Sequence, residues 1–209
     1  MYQKIKRIID FILALVAIVL LSPVLLVLVI AIKVESRGPI FFKQKRVGIH
    51  KKHFMIYKFR TMRIDTPKDV PTHLLENPEQ YITRVGRFLR KTSLDELPQL
   101  FNILKGDMAV VGPRPALWNQ YDLIAERDKY HANDILPGLT GWAQINGRDE
   151  LEIPVKAKLD GEYVQKMSFL FDLKCLFGTV FSVLKSDGVV EGGTGTLQKE
   201  KDEESAGKK

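Results

Sequence analysis

Ser93-Leu94-Asp95-Glu96-Leu97-Pro98 places two carboxylates side by side ahead of a helix-patterned apolar stretch. Adjacent carboxylates can divide labour: one acts as nucleophile or base, the other orients it or helps hold a divalent metal ion. The spacing of Ser93 and Glu96 equally fits a helix capping box, and acids suit the positive end of a helix. Cations stand at three further points. Lys58-Phe59-Arg60 puts two of them on one face of an extended strand, either a clamp for a diphosphate or a solvated face. Arg114 sits in Gly112-Pro113-Arg114-Pro115, a stiff loop that suits bidentate phosphate binding or is a tight turn with a solvated arginine. Arg148 ends the small-residue segment 137–148. His50, His53, His73 and His131 lack metal-ligand spacing, and the single cysteine, Cys175, excludes an internal disulfide or a cysteine-based metal site. One acidic pair among several held cations suits phosphorylated substrates.

The elements that must position these residues are legible in outline. Segments 39–47 and 54–60 read as two strands of a hairpin with a polar tip at 48–52. Residues 66–78, with Pro67, Pro71 and Pro78 beside Asp69 and Asn77, read as a surface loop. Leu97, Leu100, Phe101 and Leu104 predict a helix stopped by Gly106, and a second helix is expected over 116–127. Pro137-Gly138 and Asn146-Gly147 bracket a loop-rich stretch, and helices are expected over 155–167 and 169–185. The last of these has a broad apolar face suited either to a core or to a bilayer surface.

Of the 209 residues, 32 are Lys or Arg and 25 are Asp or Glu, a formal net charge of +7. The excess is local: residues 1–60 carry +10 and residues 61–209 carry −3. That basic end also holds the long apolar run, residues 11–32, so the charge points to a membrane surface and not to nucleic acid. As one helix the run would reach about 33 Å, enough to cross a hydrocarbon core. Ser22-Pro23 interrupts it, because Pro23 cannot donate to the Val19 carbonyl and Ser22 can bond back to Ile18. Basic residues flank both ends, which fits a hairpin returning to one face. A Pro-kinked spanning helix fits too. The run alone leaves both open.

Lys6-Arg7-Ile8-Ile9-Asp10, Ser22-Pro23, KFRTM at 58–62, TSLDELPQLFNILKGDM at 92–108, VGPRP at 111–115 and PGLTGWAQINGR at 137–148 resemble the bacterial sugar transferase family. These are the monotopic phosphoglycosyl transferases of polyprenyl-phosphate glycan pathways. The resemblance covers about residues 4–187 and is to the small members that consist of the catalytic core. It implies a mostly helical α+β fold. A re-entrant membrane helix (1–36) broken at Ser22-Pro23 would be followed by a cytoplasmic catalytic domain (37–190) with a short β-hairpin and interfacial helices. The tail 191–209 is expected to be disordered. It further implies transfer of a sugar 1-phosphate from a UDP-sugar to undecaprenyl phosphate with Mg²⁺, releasing UMP, as the first membrane step of surface glycan assembly. Asp95 matches the family's nucleophile, which forms a covalent phosphosugar-aspartyl intermediate, and Glu96 its partner. Asp95, with Glu96, would face the metal. Lys58, Arg60, Arg114 and Arg148 match family cations, and Arg87 and Arg90 are weaker matches. Segment 114–124 is similar to members that use N-acetylated 6-deoxyhexosamines. The expected location is the bacterial inner membrane, among its phospholipids, with both termini on the cytoplasmic face; a homodimer is compatible with this. Direct lipid attack in a ternary complex and a non-catalytic membrane scaffold are the competing readings.

Overall fold

Residues 2–66, 78–147 and 151–185 are described by the computed structural model. The expected loop at 66–78 lies almost wholly outside them, as do Arg148 and the tail. Helix α1, Tyr2–Glu35, takes in the whole apolar run. It is not divided at Ser22-Pro23 as expected: it continues through Pro23. The reason lies in one hydroxyl. Pro23 cannot supply the N–H that the Val19 carbonyl would accept, and Ser22 Oγ donates to that carbonyl at 2.8 Å, not to Ile18. Ser22→Ala should therefore cost about 1 kcal/mol, with Ser22→Thr close to wild type, measured by thermal unfolding in detergent micelles.

Both halves of α1 lie on the rest of the chain. Ala14, Ala17, Ile18 and Leu21 pack on Ile56, Leu100, Ile103 and Met108; Leu25, Leu28, Val29 and Ile32 pack on Phe59, Leu89, Leu94 and Leu97. Its ends are tied by polar bonds. Buried Lys6 reaches Asp10 at 3.2 Å and Asp172 at 2.8 Å, and Glu35 accepts from the N–H groups of Arg84 and Val85. The opposite face exposes Leu13, Val16, Leu20, Val24, Val27 and Ile30.

Strands β1 (Phe41–Val47) and β2 (His53–Phe59) form the expected antiparallel hairpin, with Phe41 opposite Phe59 and Val47 opposite His53. Helix α2, Arg84–Lys91, was not legible in its polar sequence; Thr83 caps it by accepting from the Gly86 N–H. Helix α3, Gln99–Lys105, ends where expected, with Gly106 in the left-handed conformation at φ 94°. Strand β3 (Ala109–Val111) pairs in parallel with β4 (Gly138–Thr140), a pairing the sequence did not announce. The backbones approach so closely there that a Cβ on Gly138 would sit 2.1 Å from Gly112 N. Helix α4 is Tyr121–Asp128. It begins later than expected because residues 116–117 are extended against the hairpin, where Val47 N donates to Ala116 O at 3.0 Å. Helices α5 (Trp142–Ile145), α6 (Ile153–Lys166) and α7 (Phe169–Lys185) complete the described chain. The fold is mostly helical α+β with two small sheets.

Candidate active site

Asp95 and Glu96 lie on a single 3₁₀ turn, Leu94–Glu96, between α2 and α3. The capping box does not form. Ser93 adopts φ 57° and ψ 15°, and its side chain makes no cap bond. A left-handed Ser turns the chain sharply out of α2, so the two carboxylates project from a corner and not from a helix start.

Glu96 is fully engaged. Its Oε1 accepts from Lys58 Nζ at 2.7 Å and from Arg114 Nη2 at 2.9 Å, and Oε2 faces Arg114 Nη1 at 3.4 Å. Asp95 is different: among the described residues no side chain or backbone group hydrogen-bonds its carboxylate. Burial pushes the Asp95 carboxyl from 3.8 up to about 6; the Glu96 charge adds to this, and Lys58, Arg90 and Arg114 oppose it. Burial also works against the charge on Glu96, but Arg114 and Lys58 outweigh it and hold that carboxyl far below the usual range. The corner thus pairs a tethered carboxylate held ionised by its cations with one that has no hydrogen-bond partner among the described residues and whose pKa is raised toward neutrality.

Three braces fix this corner. Asn102, fully buried on α3, mimics a strand: Oδ1 accepts from Tyr57 N at 3.0 Å and Nδ2 donates to Met55 O at 2.8 Å. This joins α3 to β2 and so sets Lys58 against Glu96. Arg7 of α1 donates to the Ile103 and Leu104 carbonyls at 2.6 and 3.1 Å, closing the C-terminal end of α3. Arg90 is steadied by Nε donating to Thr61 Oγ1 at 2.9 Å. The sequence did not single out Asn102; its one signal was a polar residue at a core-facing position between Leu100 and Ile103.

Lys58 and Arg114, expected from the sequence, do meet at Glu96. Arg60 does not join them. It is 7% exposed, and its Nε, Nη1 and Nη2 donate to Pro39 O at 2.7 Å, Arg37 O at 2.9 Å and Ser36 O at 2.9 Å. It therefore latches the end of α1 onto the hairpin. Sharing a strand face with Lys58 could not reveal this, because the competing acceptors are carbonyls of a distant turn. Arg87 reaches Glu79 at 3.4 Å on the surface. Arg148 lies outside the described residues.

No group of three or more His, Cys, Asp or Glu able to hold a metal ion occurs among the described residues. Magnesium is commonly held by one or two carboxylates together with substrate phosphates. Asp95, with no hydrogen-bond partner among the described residues and flanked by cations that suit a diphosphate, fits such a site.

The chain is 43% identical over 184 residues to the uncharacterized sugar transferase EpsL of Bacillus subtilis (strain 168), covering 88% of this chain and 89% of that protein. It is 42% identical over 187 residues to the UDP-glucose:undecaprenyl-phosphate glucose-1-phosphate transferase of Escherichia coli (strain K12), covering 86% of this chain but 40% of that one. To the UDP-N-acetylgalactosamine-undecaprenyl-phosphate N-acetylgalactosaminephosphotransferase of Aeromonas hydrophila it is 36% identical over 195 residues, covering 90% of this chain and 45% of that protein. The family model described as bacterial sugar transferase matches residues 1–186, spanning every element above from the docked apolar helix to the acidic corner, and the chain belongs to that family.

Proposed function

We propose that this chain transfers a sugar 1-phosphate from a UDP-sugar to undecaprenyl phosphate through a covalent intermediate on Asp95. The observation that carries this reading is the contrast within the pair: Glu96 is tied to Lys58 and Arg114, while Asp95 has no partner among the described residues. In the first step an Asp95 oxygen bonds to the β-phosphorus, and the bond from that phosphorus to the bridging oxygen breaks, releasing UMP. In the second, a phosphate oxygen of the lipid attacks the same phosphorus and frees Asp95. Two anionic substrates repel one another, and handling them in turn through one carboxylate separates two displacements. Lys58 and Arg114 neutralise charge on the diphosphate while keeping Glu96 ionised. Mg²⁺, held through Asp95 and the donor's phosphates, would supply further neutralisation of the departing UMP.

Intact mass of protein incubated with donor alone tests this: a phosphosugar adduct, absent in Asp95→Asn, is expected, and UMP released only when lipid is added would overturn it. For the sugar, a panel comparing UDP-glucose, UDP-N-acetylgalactosamine and UDP-linked N-acetylated 6-deoxyhexosamines should favour the last, from the character of segment 114–124.

We also propose that α1 enters the cytoplasmic leaflet without crossing. A helix tied to one body at Lys6, along both halves and at Glu35 has no free stretch to span a bilayer. Its outer face and Phe177, Val180 and Phe181 of α7 supply exposed apolar surface for lipid. Gln3→Cys in intact cells should resist membrane-impermeant periplasmic thiol reagents, with little background from buried Cys175. Labelling at residue 3 would mean that the helix crosses.

A further inference from the structure

We infer that Arg127 and Asp160 form a buried positioning pair that sets Arg114 against Glu96. This deepens the reading of the acidic corner and rests on it. Pro113 and Pro115 have no N–H, so the loop that carries Arg114 offers few donors and must be held by its carbonyls. Four successive carbonyls are each held from elsewhere. Pro113 O accepts from Gly138 N at 2.9 Å, and Arg114 O from Arg127 Nη1 at 2.9 Å. Pro115 O accepts from Arg46 Nη1 at 3.0 Å and Ala116 O from Val47 N at 3.0 Å. Among these four, the Arg127 bond falls on Arg114 itself.

Arg127 comes from α4 and Asp160 from α6, and they are 3% and 1% exposed. Arg127 Nε and Nη2 both reach Asp160 Oδ2, at 2.8 and 2.6 Å, which leaves Nη1 aimed at the loop. A buried ion pair is a weak stabiliser, because desolvation offsets most of the Coulomb gain. What the planar guanidinium gives is direction: two bonds fix its plane and the third fixes the Arg114 backbone. The line Asp160, Arg127, Arg114 backbone, Arg114 guanidinium, Glu96 joins α6 to the corner. Arg127 touches no reacting group in it; it acts through Arg114.

The test uses the full chain in micelles with the donor that gives the fastest UMP release. Arg127→Gln should lower donor kcat/KM by about 30-fold while the KM for undecaprenyl phosphate stays within about twofold, and Arg127→Lys should recover part of the loss. In an Arg114→Gln background the same Arg127→Gln change should cost less than about twofold, since its target is already gone. Equal losses in both backgrounds, or a parallel rise in both KM values, would make the pair a general stabiliser and overturn the inference. If Arg127→Gln does not fold, Asp160→Asn keeps the volume and an acceptor. It should show the same non-additivity with a loss of about fivefold. Wild-type donor turnover in Arg114→Gln alone would instead overturn the role given to Arg114 at the acidic corner.

Discussion

Asp95→Asn is expected to lower UMP release from UDP-sugar plus undecaprenyl phosphate by at least about a thousandfold while making the folded protein more stable. The loss follows from chemistry: a neutral amide is a poor nucleophile toward phosphorus, and the adjacent carboxylate, Glu96, cannot replace it, because it is held by Lys58 and Arg114. The gain follows from linkage. The Asp95 carboxyl holds its proton more tightly in the fold, at about 6 against 3.8, so its ionisation opposes folding. Below about pH 4 the carboxyl is protonated in both states and there is no penalty; the penalty grows as pH rises through 6 and at pH 7 reaches up to about 3 kcal/mol. Partial solvent access reduces this to about 1–2 kcal/mol. Asparagine carries no such penalty, so the unfolding midpoint in micelles should rise by about 2–6 °C at pH 7 and hardly at all at pH 4. A variant that lost activity and stability together would point to a structural Asp95. One that kept activity would remove it as the nucleophile.

The pieces of the corner were far more legible than its geometry. Asp95-Glu96, Lys58 and Arg114 stand out in the sequence because local residue types and stiff flanking positions speak to chemistry. Their meeting depends on contacts across tens of residues, such as Asn102 bridging α3 to β2, which no local period reports. The same limit explains the misreadings. Ser93 and Glu96 have capping-box spacing, but Ser93 is left-handed and its side chain makes no cap bond. Pro23 carries a local cost, but its neighbour Ser22 supplies the missing donor, so the helix continues. Hairpin and α3 boundaries were legible because period 2, period 3.6 and a left-handed glycine act within a few residues. The parallel pairing of β3 with β4 joins three-residue strands 29 positions apart, Ala109 to Gly138, and such short strands carry almost no pattern of their own.

Glu96→Gln is expected to do the opposite to the fold and nearly as much harm to the reaction. The charge on Glu96 balances Lys58 and Arg114 at 2.7 and 2.9 Å. A neutral amide leaves two part-buried cations short of a partner, which should destabilise the protein by about 1–3 kcal/mol. The pH dependence carries the sharper signature. Glu96 raises the Asp95 carboxyl whereas Lys58, Arg90 and Arg114 lower it, so removing the Glu96 charge frees those cations to act on Asp95. In the wild type, donor kcat/KM should fall tenfold per pH unit below an acid limb near 6, since the protonated acid cannot attack. In Glu96→Gln that limb should move to lower pH, because Asp95 then ionises more readily. The rate on the plateau should drop by about 100-fold, since a carboxylate clamped by two cations is a weaker nucleophile and Arg114 is no longer aimed. Lys58→Met should shift the limb upward, by the same reasoning with the sign reversed. An acid limb that stayed in place in both variants would mean that Asp95 titrates independently of Glu96, and the division of labour within the pair would fail.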